Sequence, residues 1–127
     1  MSKGPRFKVL VTGPARRDIA AIIRWSFSEF GEAAAHRYEA LILQALRDLA
    51  SDPERPGSKE RPEIMAPGTR TYHLSLSRSR MAGKRVKAPR HFLFYRSIAP
   101  GVIEIVRVLH DSRDLAQHLP PELQSNN

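Results

Sequence analysis

Phe7, Val9 and Val11 recur at every second position, a period-two pattern that predicts a first β-strand. Gly13-Pro14 breaks it, and a proline there suits the first turn of a helix, where its missing N–H costs nothing. Ile19, Ile22, Ile23, Ser26, Phe27 and Phe30 then fall on one stripe at helical spacing, with Arg17, Asp18, Arg24 and Ser28 directed away from it. Gly31 supplies a stop, and from Glu32 a second stripe begins, formed by Ala34, Tyr38, Leu41, Ile42, Ala45 and Leu49. Helices joined this tightly are expected to fold back as a hairpin.

The second helix should end near Ser51-Asp52-Pro53, and the Pro- and Gly-rich stretch to Pro67-Gly68 reads as loop. Three strand signals follow. In Arg70–Leu76, Tyr72, Leu74 and Leu76 alternate with Thr71, His73 and Ser75, which predicts an edge strand with one face wet. His91–Arg96 and Val102–Leu109 are separated by Ala99-Pro100-Gly101, so they should form an antiparallel hairpin, with the second strand apolar enough to be central. The intervening residues 78–87 lack any period and are expected to form a mobile polar loop. Residues 110–119 suggest a short final helix ended by Pro120-Pro121, with a frayed tail beyond.

The elements run β-α-α-β-β-β, which predicts one α+β domain over residues 1–127, with a core of about 7–120. Its mostly antiparallel four-stranded sheet is covered on one face by the helical hairpin. A chain of 127 residues with 41 % apolar residues can build such a core unaided. It has no cysteine, so disulfides and thiolate metal sites are excluded. No metal-ligand spacing, phosphate-cradling glycine loop or Ser-His-Asp arrangement is present, and no cofactor is expected. Met1–Lys8 lacks the apolar run of a secretory signal, and no stretch reaches the length of a membrane span, so a soluble cytoplasmic protein is expected.

Charge sharpens this picture. Twenty-one Lys and Arg against thirteen Asp and Glu give +8, and the segment from Thr69 to Ser97 holds no acidic residue at all. Such a local positive field favours an acidic protein or nucleic acid as partner, although a basic loop can also serve solubility alone.

The C-terminal half carries a resemblance. Gly68-Thr69-Arg70-Thr71-Tyr72-His73-Leu74, Pro89-Arg90-His91-Phe92-Leu93-Phe94-Tyr95-Arg96 and the block from Gly101 to Leu115, ending His110-Asp111-Ser112-Arg113-Asp114-Leu115, resemble the ParE branch of the RelE/ParE toxin superfamily. Asp18-Ile19, Trp25, Phe30-Gly31-Glu32 and Arg37-Tyr38 agree with it in the first half. The resemblance implies a RelE/ParE-like fold and a toxin of a type II toxin-antitoxin pair, which inhibits DNA gyrase. An acidic ParD-like antitoxin would hold it silent in a hetero-oligomer. It also implies a possible contact with DNA through gyrase, no enzymatic activity and no membrane.

Two groups of candidate residues follow. Trp25, roughly 120° off the core stripe of its helix, and Leu43, off the stripe of the second, either pack within the fold or anchor the antitoxin together with Phe27 and Phe30. For the target, the candidates are Arg78, Arg80, Lys84, Arg85, Arg90, His91, Arg107, His110 and Arg113. Arg107 is expected to pair within the fold, with Asp114 or Asp111, or else to be shown to a partner. His110 next to Asp111 is either a structural, carboxylate-bonded histidine or an acid-base group. The competing expectation is a ribosome-dependent messenger-RNA endonuclease of the RelE type, for which Arg90, Arg107, Arg113, His91, His110 and His118 would supply cation, base and acid. Against it, the Tyr72–Leu76 segment lacks the lysine, and the final helix the tyrosine, that such nucleases tend to carry. A non-toxic, partner-binding relative is the third alternative.

Overall fold

The computed structural model describes residues 6–63, 65–112 and 119–124. Strand β1 (Lys8–Val11) leads into helix α1 (Gly13–Phe30) and helix α2 (Glu32–Ser51). Thr12 makes the first transition: its Oγ1 accepts the Ala15 N–H at 3.1 Å as a helix N-cap and donates to the Val106 carbonyl at 2.9 Å. Gly31 makes the second. With φ at 90°, a value that side-chain-bearing residues rarely adopt, it donates its N–H to Phe27 O and accepts from Ala35 N, so one residue closes α1 and opens α2.

Four more strands complete a five-stranded sheet in the order β1-β5-β4-β3-β2, where β2 is Lys59–Glu60, β3 Arg70–His73, β4 His91–Ala99 and β5 Val102–His110. The β1–β5 pairing is parallel and the others antiparallel. The element order agrees with the sequence expectation. The fifth strand is the two-residue β2, which lies in the stretch read as loop and borders β3.

Several expectations need correction. The strand predicted over Arg70–Leu76 stops at His73, and Leu74–Arg80 forms a 3-10 helix. Its faces are not wet and dry by alternation, because Thr71, Tyr72 and Leu74 are all buried. The cause is tertiary: Tyr72 Oη and Ser77 Oγ lie 2.8 Å apart, and Ser77 donates to the buried Asp48 carboxylate, which curls the chain back onto α2. Nor is 78–87 a free polar loop. Met81 is buried, Val86 packs on the core, and Arg78 Nε donates to the Val86 carbonyl.

The hairpin helices cover one face of the sheet, where Leu41, Ile42, Ala45 and Leu49 meet Tyr72, Leu93, Tyr95, Ile103, Ile105 and Val108. The opposite face carries a core of its own, with Met65, Phe94, Val106, Leu109 and Leu123. Residues 119–124 are therefore not a frayed end: Leu123 is fully buried, and its carbonyl accepts from Ala66 N at 3.1 Å. The final helix predicted over 110–119 falls largely on residues 113–118, outside those described, while β5 itself runs through His110.

A register shift in the β4–β5 pair, where Phe94 faces Arg107 but Tyr95 faces Ile105, makes Val106 the extra residue of a bulge. Strict alternation would put Leu109 on the side of Ile103 and Ile105. The bulge instead turns Val108 to that side and Leu109 to the other.

Candidate functional site

A cavity of about 900 Å³ opens between α1, the start of α2, residues 84–91 and the end of β5. Its apolar wall is α1 and α2: Ala21, Ile22, Trp25, Phe30 and Ala34. Lys84, Arg85, Lys87 and Arg90 form the opposite, cationic wall, and Arg37, Tyr38, His91 and His110 also line it. Trp25 is 57 % exposed and meets Phe30, 66 % exposed, edge to face with ring centres 5.5 Å apart. It thus packs against a ring of its own helix.

The pairing of β4 with β5 places His91 opposite His110, their rings edge-on at 5.1 Å. Tyr38 reaches across from α2, with its Oη 2.6 Å from His91 Nδ1 and accepting the Arg90 backbone N–H at 3.0 Å. Burial pushes the Tyr38 phenol up to about 12. Burial likewise pulls His91 down to about 4, helped by the neighbouring His110, so His91 is neutral at pH 7. Beside this pair, Asp111 accepts from Arg90 at 2.9 Å and lies 2.9 Å from His73 Nε2. Burial opposes its ionisation, but these hydrogen bonds prevail and hold the carboxyl below the usual range.

Seven candidates from the sequence therefore surround one cavity: Trp25, Phe30, Lys84, Arg85, Arg90, His91 and His110. The others lie elsewhere. Phe27 and Leu43 are exposed outside the cavity lining. Arg78 serves Val86, and Arg80 Nε donates to Asp48 Oδ1 at 2.8 Å. Arg107 is paired within the fold with Asp18 at 2.7 Å and Glu122 at 3.3 Å, while Asp111 is taken by Arg90 and His73 and Asp114 lies outside the described residues. Asp18, read from its helical position as pointing away, also accepts the Val108 N–H at 2.9 Å. Arg113 and His118 lie outside the described residues. His110 places its Nδ1 2.7 Å from Ser112 Oγ and 3.7 Å from Asp111.

Sequence reasoning missed the polar role of Tyr38, which looked like one more member of an apolar stripe, and the anchoring roles of His73 and Asp111. The adjacency of Arg90, His91 and the His110-Asp111 pair on neighbouring strands was the signal available. Among the described residues no group of three or more His, Asp or Glu side chains could hold a metal ion, and no helix is long and apolar enough to cross a membrane.

The family model described as the ParE toxin of type II toxin-antitoxin system, parDE, matches residues 9–115. The chain belongs to this ParE toxin family. A solved structure titled "Chromosomal ParDE TA system from P. aeruginosa" has the same fold, with a TM-score of 0.62 over 84 % of this chain and 98 % of that one at 16 % identity. No match was found among curated proteins. The ParE match spans both walls of the cavity, from α1 through β5, and the role of a toxin comes with the family.

Proposed function

We propose that this ParE-family protein inhibits DNA gyrase in the cytoplasm by binding, without breaking a bond in any substrate, and that an acidic ParD-like antitoxin neutralises it. The observation that carries this reading is the union of exposed aromatic side chains with a cationic wall round one large cavity. Such a surface suits a macromolecular partner: aromatic residues anchor, and positive charge speeds and orients encounter. Trp25, Phe27, Phe30 and Leu43 leave an apolar helical face exposed, which fits the apolar side of an amphipathic antitoxin segment, while a net charge of +8 complements acidic residues on its other side.

The nuclease alternative requires free cations and an available base at the strand ends. Arg107 is held by Asp18 and Glu122 and Arg90 by Asp111, so the two described strand-end arginines are engaged in holding the fold, which favours the binding reading. A nuclease would have to draw its base from His91 or His110, each of which uses Nδ1 within the chain. Purified protein titrated into a gyrase supercoiling reaction tests the proposal, with loss of supercoiling expected. Gyrase left untouched together with shortened transcripts on translating ribosomes would establish the nuclease instead. The absence of any growth defect on induction would make the chain a non-toxic relative.

A further inference from the structure

The cavity beside α1 has two chemically different walls that point to a ligand of its own. Trp25, the chain's one tryptophan, is braced edge-on by Phe30, so the indole is held in place while more than half of it stays uncovered. Facing that wall, Lys84, Arg85 and Lys87 lie on a segment without helix or strand, and among the described residues none of them forms an ion pair. His91 and His110 use Nδ1 within the chain, on Tyr38 and Ser112, and their Nε2 atoms have no hydrogen-bond partner among the described residues.

An aromatic ring beside a row of cations that no carboxylate of the described residues neutralises, Arg85 giving one hydrogen bond to the Ser79 carbonyl, is the chemistry that holds single-stranded nucleic acid, where a base stacks and the adjoining phosphates are neutralised. A duplex keeps its base faces stacked inside and offers none to Trp25. An acidic peptide would satisfy the cations, but it carries its charge on carboxylates at the ends of flexible side chains, whereas a nucleotide brings a flat π face for Trp25 and a phosphate beside it in one repeating unit. We propose that this cavity binds single-stranded nucleic acid, with one unstacked base against Trp25 and the flanking phosphates on Lys84, Arg85 and Lys87. The site stands whether or not gyrase is the target. Because Trp25 is also an antitoxin anchor in the reading above, nucleic acid and antitoxin would exclude one another there.

Trp25 reports on its own occupancy. Titration with an oligothymidylate of about twelve nucleotides is expected to quench the tryptophan emission. Neutralising three phosphates at roughly 0.7 each should give affinity that falls with salt at a log–log slope near about −2. Anisotropy of the labelled oligonucleotide follows the variants. Trp25→Ala should weaken binding about tenfold while keeping the slope, and the double substitution Lys84→Glu with Lys87→Glu should flatten the slope, with circular dichroism showing that both variants stay folded. The proposal is overturned by no binding, by binding that leaves the Trp25 emission unmoved, or by equal quenching with a duplex of the same length. Equal quenching by poly-L-glutamate would also overturn it, and would assign the cavity to acidic peptides.

Discussion

Asp48 gathers donors from several directions at a position 3 % exposed: Gln44 from its own helix, Ser77 and Arg80 from the 3-10 helix, and Arg55 from the segment after α2. Burial opposes the charge, but the hydrogen bonds from Ser77, Gln44 and Arg80 prevail and keep its carboxyl below the ordinary range. Removing one partner from a buried, hydrogen-bonded ion cluster leaves the other charges uncompensated, so Asp48→Ala should cost about 3 kcal/mol in urea denaturation at pH 7. Asp48→Asn, which can still bond Ser77 and Gln44, should cost clearly less. Equal and small losses would show that the cluster does not hold the 3-10 helix down. Nothing local marks Asp48 in the sequence, since an aspartate in an amphipathic helix reads as solvent-facing until distant arginines are folded onto it. Asp18 is the same case, as its partner Arg107 stands at the far end of the chain.

Element boundaries divide along similar lines. Gly31 was legible because its requirement is local: a helix stop followed at once by a helix start. A Cβ built there would meet nothing within 4 Å, so the strain of its φ of 90° is the whole penalty for any other residue. Gly31→Ala is therefore expected to destabilise the protein by about 2 kcal/mol without altering the cavity. A thermal midpoint equal to that of the parent protein would refute this. The end of β3 and the bulge at Val106 were not legible. Leu74-Ser75-Leu76 keeps the strand period, but the His73 side chain caps the Ser75 N–H and Ser77 is drawn towards Asp48, which turns the segment into a 3-10 helix. Along β5 six of nine residues are apolar, and they come as the adjacent pairs Val102-Ile103, Ile105-Val106 and Val108-Leu109, so no single period-two phase is set for a bulge to interrupt.

For the whole molecule, the strand-end cluster predicts a pH dependence. The folded protein holds His91 at about 4 against an ordinary value of 6.5, so between those values the unfolded chain binds more protons than the folded one. Stability contributed by neutral His91 is thus complete above about pH 6.5 and is lost as pH falls towards about 4, where the lowered Asp48 and Asp111 carboxyls begin to add losses of the same sign. His91→Gln, neutral throughout, should flatten the loss between pH 6.5 and 4 in denaturation midpoints, even if it lowers stability at pH 7. An unchanged profile would show that the burial of His91 does not control it.

The order of elements, the helical hairpin, the β4–β5 pairing and the local positive field were written in the chain, because each depends on neighbours a few residues apart. The blocks from Gly68 to Leu115 carried the family likeness for the same reason. Packing decided the rest. It covered the second face of the sheet with Met65 and Leu123, assigned Arg107 to Asp18, and brought Trp25, Phe30, Lys84, Arg85, Arg90, His91 and His110 round one cavity. A helix face, an irregular segment and two strand ends meet there only through long-range contacts, which periodicity cannot encode because it records the direction of a side chain but not what arrives opposite it.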